Sequence, residues 1–169
     1  GASLQAKFIS NNELHVVTPA LSSPGVYIVE VSATQTSLRT QSESVFEFEP
    51  DIIITSTDPS VGTNGTLVTV IGSNFRPMFT LSCQFGLQSV PASYISSNRI
   101  LCSAPISYSH RSAVIRASNN GRDWSSTNSS FLYLSPAIVS IAPSFSSFGG
   151  SVVVTLSGHE FYNSSSLIC

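Results

Sequence analysis

The feature that most constrains this chain is an internal repeat with a period of 86 residues. Residues 4–50 repeat residues 90–136 at this offset without a gap, and residues 154–161 repeat residues 68–75. Positions that agree include Ala6 with Ala92, Asn12 with Asn98, Pro19 with Pro105, and Pro50 with Pro136. A fixed long period is typical of arrays of similar modules.

The repeat divides the chain into one whole module and two partial ones. We expect residues 51–136 to be a complete module, residues 1–50 the C-terminal half of the preceding one, and residues 137–169 the N-terminal half of the next. The junctions at residues 50–51 and 136–137 leave almost no linker. Short joints hold neighbouring modules in a defined relation, so the sequence predicts a semi-rigid array.

The local pattern is that of short β-strands. Apolar and polar residues alternate with period two in residues 26–31 and 45–49, as they do in half-buried strands. Residues 112–118 and 129–134 predict a hairpin around the Asn-Asn-Gly sequence at residues 119–121, because Asn-Gly supplies the positive backbone angles of a tight turn. Turn residues recur about every 8–12 positions, and this spacing predicts an all-β, immunoglobulin-like β-sandwich.

A comparison of the copies predicts which face of the last strand is buried. In the gap-free match, Phe46 and Phe48 fall on Leu132 and Leu134. This face stays apolar in both copies, so we expect it to point inward.

The opposite face of the same strand carries Phe131 and Tyr133. The first copy holds Val45 and Glu47 at these positions, so the aromatic pair, with the nearby Trp124, is a candidate exposed contact patch for a neighbour. The alternative is that the pair packs under the adjacent hairpin that carries the tryptophan.

The composition excludes some partners. Charged residues make up only 9% of the chain and the net charge is −2, whereas an ordinary soluble domain is about 25% charged. No basic run is present to hold a phosphate backbone, so we expect no nucleic-acid partner. The sequence also has no apolar run of about 18 residues, so we expect no membrane span in this segment.

Attached sugars would give such a neutral surface its solubility. The chain has three N-glycosylation sequons, at Asn64, Asn128 and Asn163, although a Ser-rich chain also generates sequons by chance. The Ser and Thr content leaves room for O-linked glycans as well. We therefore expect N-linked and O-linked glycans, no other cofactor, and an extracellular or cell-surface location.

Five short motifs stand along the central module: Asp58-Pro-Ser60, Gly72-Ser-Asn-Phe75, Cys83-Gln-Phe-Gly86, Cys102-Ser-Ala-Pro105 and Ser118-Asn-Asn-Gly-Arg-Asp-Trp-Ser125. Together they resemble an IPT/TIG domain, the immunoglobulin-like fold of plexins, transcription factors and large repeat-bearing surface proteins. The resemblance covers nearly the whole chain, as one complete and two partial repeats. It implies tandem IPT/TIG repeats of an extracellular surface or filament protein, and the basic loops of the DNA-binding relatives are absent.

The cysteines fit this resemblance. Cys83 and Cys102 lie 19 residues apart on strands expected to come close, so we predict a disulfide, with two buried thiols as the alternative. A disulfide implies an oxidising compartment. Cys169 occupies the place of Cys83 in the next copy, so its partner is expected outside the chain or it is unpaired. The first copy departs from the pattern, with Val16 where Cys102 would be.

The sequence contains no convincing catalytic or metal-binding arrangement. None of His15, His110 and His159 has a metal-ligand partner at close spacing, and residues 158–160 replace the turn of residues 72–74. There is no Gly-x-Ser-x-Gly elbow. We therefore expect no catalytic residues, no metal and no enzymatic activity.

These features favour a structural function, as a glycosylated extracellular stalk, fibril or surface filament of tandem immunoglobulin-like modules. The expected partners are neighbouring copies or further repeats of the same protein. The chain either belongs to a longer array, which we favour, or has half-modules that complement each other between copies. The alternative function is a ligand- or cell-binding ectodomain module of a plexin-like receptor or adhesin. A third is an accessory sandwich of a carbohydrate-active enzyme.

Overall fold

The computed structural model describes residues 3–32, 39–40, 43–107, 111–163 and 168. The described residues form fourteen β-strands and no helix, so the predicted all-β fold is confirmed. In that part of the chain no helix could cross a membrane. The chain divides into two compact units, residues 1–50 and residues 51–169.

The first unit contains two strand pairs. β1 (Ala6–Ser10) pairs with β2 (Glu13–Val16), and β3 (Gly25–Ile28) pairs with β4 (Val45–Phe48), both antiparallel. Every described apolar side chain of these strands is at least partly exposed, and none belongs to a buried core.

The second unit contains an eight-stranded sandwich. Its strands are β5 (Ile53–Asp58), β6 (Val61–Gly62), β7 (Leu67–Ser73), β8 (Ser82–Phe85), β9 (Gln88–Ser96), β10 (Arg99–Ser103), β11 (Ser112–Ser118) and β12 (Ser129–Tyr133). One sheet has the order β5-β7-β10-β9, and the other has the order β9-β8-β11-β12-β6. The predicted immunoglobulin-like sandwich is therefore confirmed.

Strand β9 belongs to both sheets. Its first half, from Gln88 to Pro91, pairs with β8, and its second half, from Ala92 to Ser96, pairs with β10. The strand thus passes from one sheet to the other, and the two sheets enclose a common core.

Apolar side chains from both sheets fill the space between them. Val68 and Val70 on β7 and Ile100 on β10 are fully buried, at the alternate positions that a strand turns to one side. Ile115 and Phe131 from the opposite sheet belong to the same buried cluster. All members of this cluster lie between residues 52 and 133.

The strand pair that follows the sandwich has the same ladder as the pair that begins it. β13 (Ala137–Ala142) and β14 (Thr155–His159) pair antiparallel. Their five paired positions correspond one to one to those of β5 and β7, and each ladder has an irregularity after its second pair. In the first unit, the four paired positions of β1 and β2 correspond in the same way to those of β9 and β10.

A glycine is required at one position of both β5–β7 and β13–β14. A Cβ atom added to Gly72 would lie 2.0 Å from the carbonyl oxygen of Ile53. A Cβ atom added to Gly158 would lie 2.0 Å from the carbonyl oxygen of Ala137. Any side chain at these two positions would push the paired strands apart.

The predicted burial of the faces of β12 is wrong. Phe131 is 0% exposed and Tyr133 is 9% exposed, whereas Leu132, which was expected to point inward, is 43% exposed. The ring of Phe131 packs edge-on against Phe85 and Tyr133, with centroid distances of 5.9 and 5.0 Å. The aromatic pair is therefore part of the core and not an exposed contact patch.

The faces of β12 were predicted wrongly because the gap-free match is out of register by one residue along this strand. β3 and β4 pair Tyr27 with Phe46, and β11 and β12 pair Ala113 with Phe131. Tyr27 and Ala113 are 86 residues apart, but Phe46 and Phe131 are 85 apart, so the gap-free match is displaced by one residue along β12. A displacement of one residue moves every side chain of a strand to the opposite face.

The predicted hairpin is formed by β11 and β12, but its turn is not tight. The connection runs over residues 119–128. Within the Asn-Asn-Gly sequence only Gly121 has a positive φ, of 71°. Asn119 is instead buried, because its side chain has a separate role described below.

We expect Phe131→Ala to lower the free energy of unfolding of the sandwich by about 3–5 kcal/mol, because removing a fully buried ring leaves a cavity. Leu132→Ala, on the same strand but facing solvent, should cost less than about 1 kcal/mol. Denaturation of the full chain, followed by the fluorescence of the single tryptophan Trp124, measures both. Equal losses, or a larger loss for Leu132→Ala, would contradict the observed faces.

Candidate functional site

The two cysteines of the central sandwich form a disulfide between its sheets, as predicted. Cys83 on β8 and Cys102 on β10 are buried, and their Cα atoms are 6.3 Å apart. Each of these strands pairs with one half of β9, so the bond closes the side of the sandwich where β9 changes sheets. Cys169 lies outside the described residues, and its lack of a partner within the chain stays a prediction.

Asn119 ties together the loops at the end of the sandwich where the chain enters. Its side-chain oxygen accepts a hydrogen bond from the N–H of Arg76, and its side-chain nitrogen donates to the carbonyl oxygen of Asn74, both at 3.0 Å. Its own carbonyl oxygen accepts a bond of 2.7 Å from the hydroxyl of Thr80. Asn74 in turn donates to the carbonyl oxygen of Asp51, two residues before β5, at 2.8 Å. The network therefore fixes the start of the module.

Glu160 makes the equivalent contact at the other end, where the chain leaves the sandwich. It follows β14 as Asn74 follows β7, and the two residues have similar positive φ angles of 57° and 67°. The Glu160 carboxylate accepts a hydrogen bond of 2.7 Å from the N–H of Ser135, two residues before β13, and pairs with Arg111. We call these three residues, Glu160, Ser135 and Arg111, the junction contact. It ties the connection between β12 and β13 to the strand pair that follows.

The junction contact favours the ionised form of Glu160. The pKa of its carboxyl is lowered from the ordinary value of 4.5, chiefly by the hydrogen bond from the Ser135 N–H. Partial burial opposes this lowering of the pKa, while the charges of Arg111 and His159 add to it. The carboxylate thus keeps its negative charge at neutral and mildly acidic pH.

All three predicted N-glycosylation sites are exposed. Asn64 lies in the loop between β6 and β7, Asn128 directly precedes β12, and Asn163 follows β14. The side-chain oxygen of Asn64 accepts a hydrogen bond of 3.1 Å from the N–H of Ser107. The exposure of these asparagines fits the sequons, and their glycosylation stays a prediction.

The predicted contact patch is not assembled. Phe131 and Tyr133 are in the core, and Trp124 is half-buried. Burial also raises the pKa of the Tyr133 hydroxyl. The larger exposed apolar surfaces lie instead on β1–β4 and on β13–β14, where residues such as Phe8 and Ile138 are more than half exposed. The sequence repeat could have indicated these exposed apolar surfaces, because these strands have apolar residues at the positions that form the core of the sandwich.

The described residues assemble no group of three or more His, Cys, Asp or Glu that could hold a metal ion. On β2, Nε2 of His15 lies 2.6 Å from the carboxylate of Glu13, and both side chains are more than half exposed. Next to His159, Glu160 is bound in the junction contact. His110 lies outside the described residues.

The fold and the interior disulfide define the central part of the chain as an immunoglobulin-like sandwich. Residues 53–133 match the family model described as TIG, the IPT/TIG domain. The match lies within the second unit and spans the sandwich from β5 to β12. No curated protein matches the sequence.

Among solved structures, the chain is similar to the full extracellular region of plexin A4, domains 1 to 10, with 18% identity and a TM-score of 0.53. That match covers 84% of this chain and 13% of the plexin chain. A second plexin A4 structure, domains 1 to 8, has 17% identity and a TM-score of 0.47, over 79% of this chain and 14% of that one. The likeness to plexin A4 is one of fold.

A third structure is SGBP-B of the Bacteroides ovatus mixed-linkage glucan utilization locus, in complex with a mixed-linkage heptasaccharide. It has 16% identity and a TM-score of 0.39, over 83% of this chain and 40% of that one.

Removing the disulfide with Cys83→Ala and Cys102→Ala together should lower the free energy of unfolding of the sandwich by about 3 kcal/mol, because the unfolded chain regains the entropy of the closed loop. Urea denaturation with tryptophan fluorescence measures the loss, and Cys169→Ser serves as the control. A reductant should shift the urea midpoint of the parent chain but not that of the double variant. A parent midpoint that stays constant under full reduction would refute the stabilising role of the bond.

The junction contact should be lost in acid. Because the pKa of Glu160 is lowered in the folded chain, its contribution is present above the unfolded value and disappears as the pH falls through the lowered pKa, below 4.5. The amide chemical shift of Ser135, followed by NMR against pH, should titrate in that range. Glu160→Gln should abolish this titration, and Glu13→Gln, whose carboxylate contacts His15 on β2, should leave it unchanged. A Ser135 amide that titrates alike in the parent and in Glu160→Gln would disprove the contact.

Proposed function

We propose that the chain is a segment of an extracellular array of immunoglobulin-like modules whose work is structural, as a stalk, fibril or surface filament. The observation that carries this proposal is the recurrence of the ladders of the sandwich. β1 and β2 have the register of β9 and β10, and β13 and β14 have the register of β5 and β7. A register shared position by position, with the same irregularity, is what copies of one module would produce.

The path of the chain through the sandwich supports the same function. The chain enters beside Asn74, where Asp51 is held, and Leu134 leaves at the opposite end, where its N–H donates to the carbonyl oxygen of Gly62. Modules connected in this way follow one another end to end. The junction contact restrains the connection, so a pulling force would act on a fixed joint.

The chemistry of the chain supports an extracellular, glycosylated surface. A disulfide persists in an oxidising compartment and is rare in the cytosol. Asn64, Asn128 and Asn163 are exposed on loops, where a glycosyltransferase can reach them. With only 9% charged residues, the chain has few ionic groups to keep it in solution, and N-linked or O-linked glycans would supply that solubility.

A ligand- or cell-binding ectodomain is the second candidate, supported by the fold of the plexin extracellular region. The aromatic patch that would have favoured it is absent, because Phe131 and Tyr133 are in the core. The array is therefore the better-supported function. Its partners would be neighbouring copies or further repeats of the same protein.

Electron microscopy of the native protein tests the proposal. We expect thin, straight particles with an axial repeat of one or two modules, because the joints are short and held. The matched control is Glu160→Gln, in which the particles should bend more at the joints. Single compact particles without an axial repeat would contradict the array.

Glycopeptide mass spectrometry of the same material tests the surface. We expect glycans at the three exposed asparagines. If all three asparagines are unmodified, the proposal of a glycosylated surface is wrong. An apolar side of the particle without glycans would favour the ligand- or cell-binding module.

A further inference from the structure

The connection between β11 and β12 holds one exposed asparagine side chain by both of its polar atoms. The side-chain oxygen of Asn120 accepts hydrogen bonds from the N–H groups of Arg122 and Asp123, each of 2.9 Å. The same oxygen accepts a third bond, of 3.1 Å, from the hydroxyl of Ser118, which is fully buried. The side-chain nitrogen donates to the Asp123 carboxylate at 2.7 Å. The amide therefore has donors around its oxygen and a carboxylate at its nitrogen.

The residue that follows Asn120 is a glycine, Gly121, with a positive φ of 71°. A bond between its backbone nitrogen and the side-chain carbon Cγ of Asn120 would close a succinimide ring. A side chain at residue 121 would crowd this ring, and glycine has none. The space beside Gly121 is open as well, because an added Cβ atom would meet only the carbonyl oxygen of Thr80, at 3.5 Å. Ring closure is therefore free of steric hindrance at this position.

We propose that Asn120 is a site of spontaneous deamidation within the folded chain. The Gly121 nitrogen attacks Cγ of Asn120, so that a new Cγ–N bond forms and the Cγ–Nδ2 bond breaks. The proton of the Gly121 N–H leaves with Nδ2 as ammonia. Water then opens the succinimide at either of its carbonyl groups, which leaves aspartate or isoaspartate at this position. The only co-reactant is water, and nothing is oxidised or reduced.

The hydrogen bonds of Asn120 favour both parts of this reaction. The attack places negative charge on the side-chain oxygen, and the three donors that already contact this oxygen stabilise that charge. Two of the donors are backbone N–H groups and the third belongs to a buried side chain, so they are in place before the attack. The Asp123 carboxylate lies at the nitrogen that leaves, where it can deliver the proton that the Gly121 nitrogen loses.

A second Asn-Gly pair, Asn64 with Gly65, has the same sequence without these contacts. Asn64 is exposed too, and Gly65 also has a positive φ, of 81°. The N–H of Gly65 donates a bond of 2.8 Å to the carbonyl oxygen of Ala104, so the nitrogen that would attack is already engaged. Among the described residues, no carboxylate accepts a bond from the side-chain nitrogen of Asn64. The structure therefore favours the reaction at Asn120 over that at Asn64, whereas the two pairs are alike in sequence.

Deamidation would change the end of the sandwich where the chain enters. A carboxylate at residue 120 removes the donor to Asp123 and places two like charges where a hydrogen bond of 2.7 Å had been. Isoaspartate also lengthens the backbone beside Asn119, whose side chain holds Asn74 and Arg76. The reaction therefore loosens the network that fixes the start of the module. This inference does not depend on the proposed function, because it concerns one loop of a single sandwich.

The test is incubation of the full chain at neutral pH, followed by peptide mass spectrometry, which measures the conversion of each asparagine to the acid. The chain is made without N-glycans, so that Asn64 serves as the internal control. In the folded chain, Asn120 should be converted at least about tenfold faster than Asn64. In the reduced chain unfolded in urea, the two should react at similar rates, because only the sequence remains. A folded-chain ratio no larger than the unfolded-chain ratio, or earlier conversion of Asn64, would overturn the proposal.

Two variants test the contacts one at a time, and the comparison within the parent chain stands even if a variant fails to fold. Ser118→Ala removes one donor to the side-chain oxygen and should slow the conversion of Asn120 up to about tenfold. Asp123→Asn keeps an acceptor for Nδ2 but removes the group that carries the proton, so it should also slow the reaction. Ser97→Ala is the matched control, because its hydroxyl donates to Asn98 instead, and it should leave the rate unchanged. An Asn120 rate that is unchanged or higher in both Ser118→Ala and Asp123→Asn would refute the role of these contacts.

Discussion

The packing of one sheet against another is the constraint on which this structure depends. A β-sheet with an apolar face is stable in water when a second sheet covers it, and only residues between 52 and 133 satisfy this condition within the described chain. β9 passes from one sheet to the other, and the Cys83–Cys102 bond closes the same side. The strands before and after have the same ladders without the cover, so their apolar residues stay exposed.

At each end of the sandwich, one side chain holds the backbone that leads into the next strand pair. Asn74 holds the backbone two residues before β5, and Glu160 holds the backbone two residues before β13. The two residues follow strands with matching ladders and have similar positive φ angles, and the backbone before the first strand of each pair is held by an amide in one case and by a carboxylate in the other. The carboxylate also reaches Arg111 of the preceding sandwich. Glu160 therefore ties the β13–β14 pair to the sandwich, whereas Asn74 contacts residues of the sandwich itself.

Much of the fold could be predicted from the sequence, because the internal repeat allows one part of the chain to be compared with another. The all-β fold and the Cys83–Cys102 bond followed from strand patterns and from spacing within one module. The faces of β12 could not be obtained in this way, since the prolines on either side of the strand match at 86 residues while Phe46 and Phe131 differ by 85. The Arg111–Glu160 pair joins a residue directly before β11 to a residue directly after β14. A comparison of one stretch of the sequence with another carries no information about contacts between the two stretches.

The strands on either side of the sandwich pair in the registers of its own ladders. Cross-strand nuclear Overhauser effects measured by NMR on the full chain test this most directly. We expect contacts between Phe8 and Leu14 and between Ile141 and Leu156, the counterparts of Tyr94 with Ile100 and of Thr57 with Val70. A register displaced by one residue in either pair, or strands that do not pair at all, would contradict it.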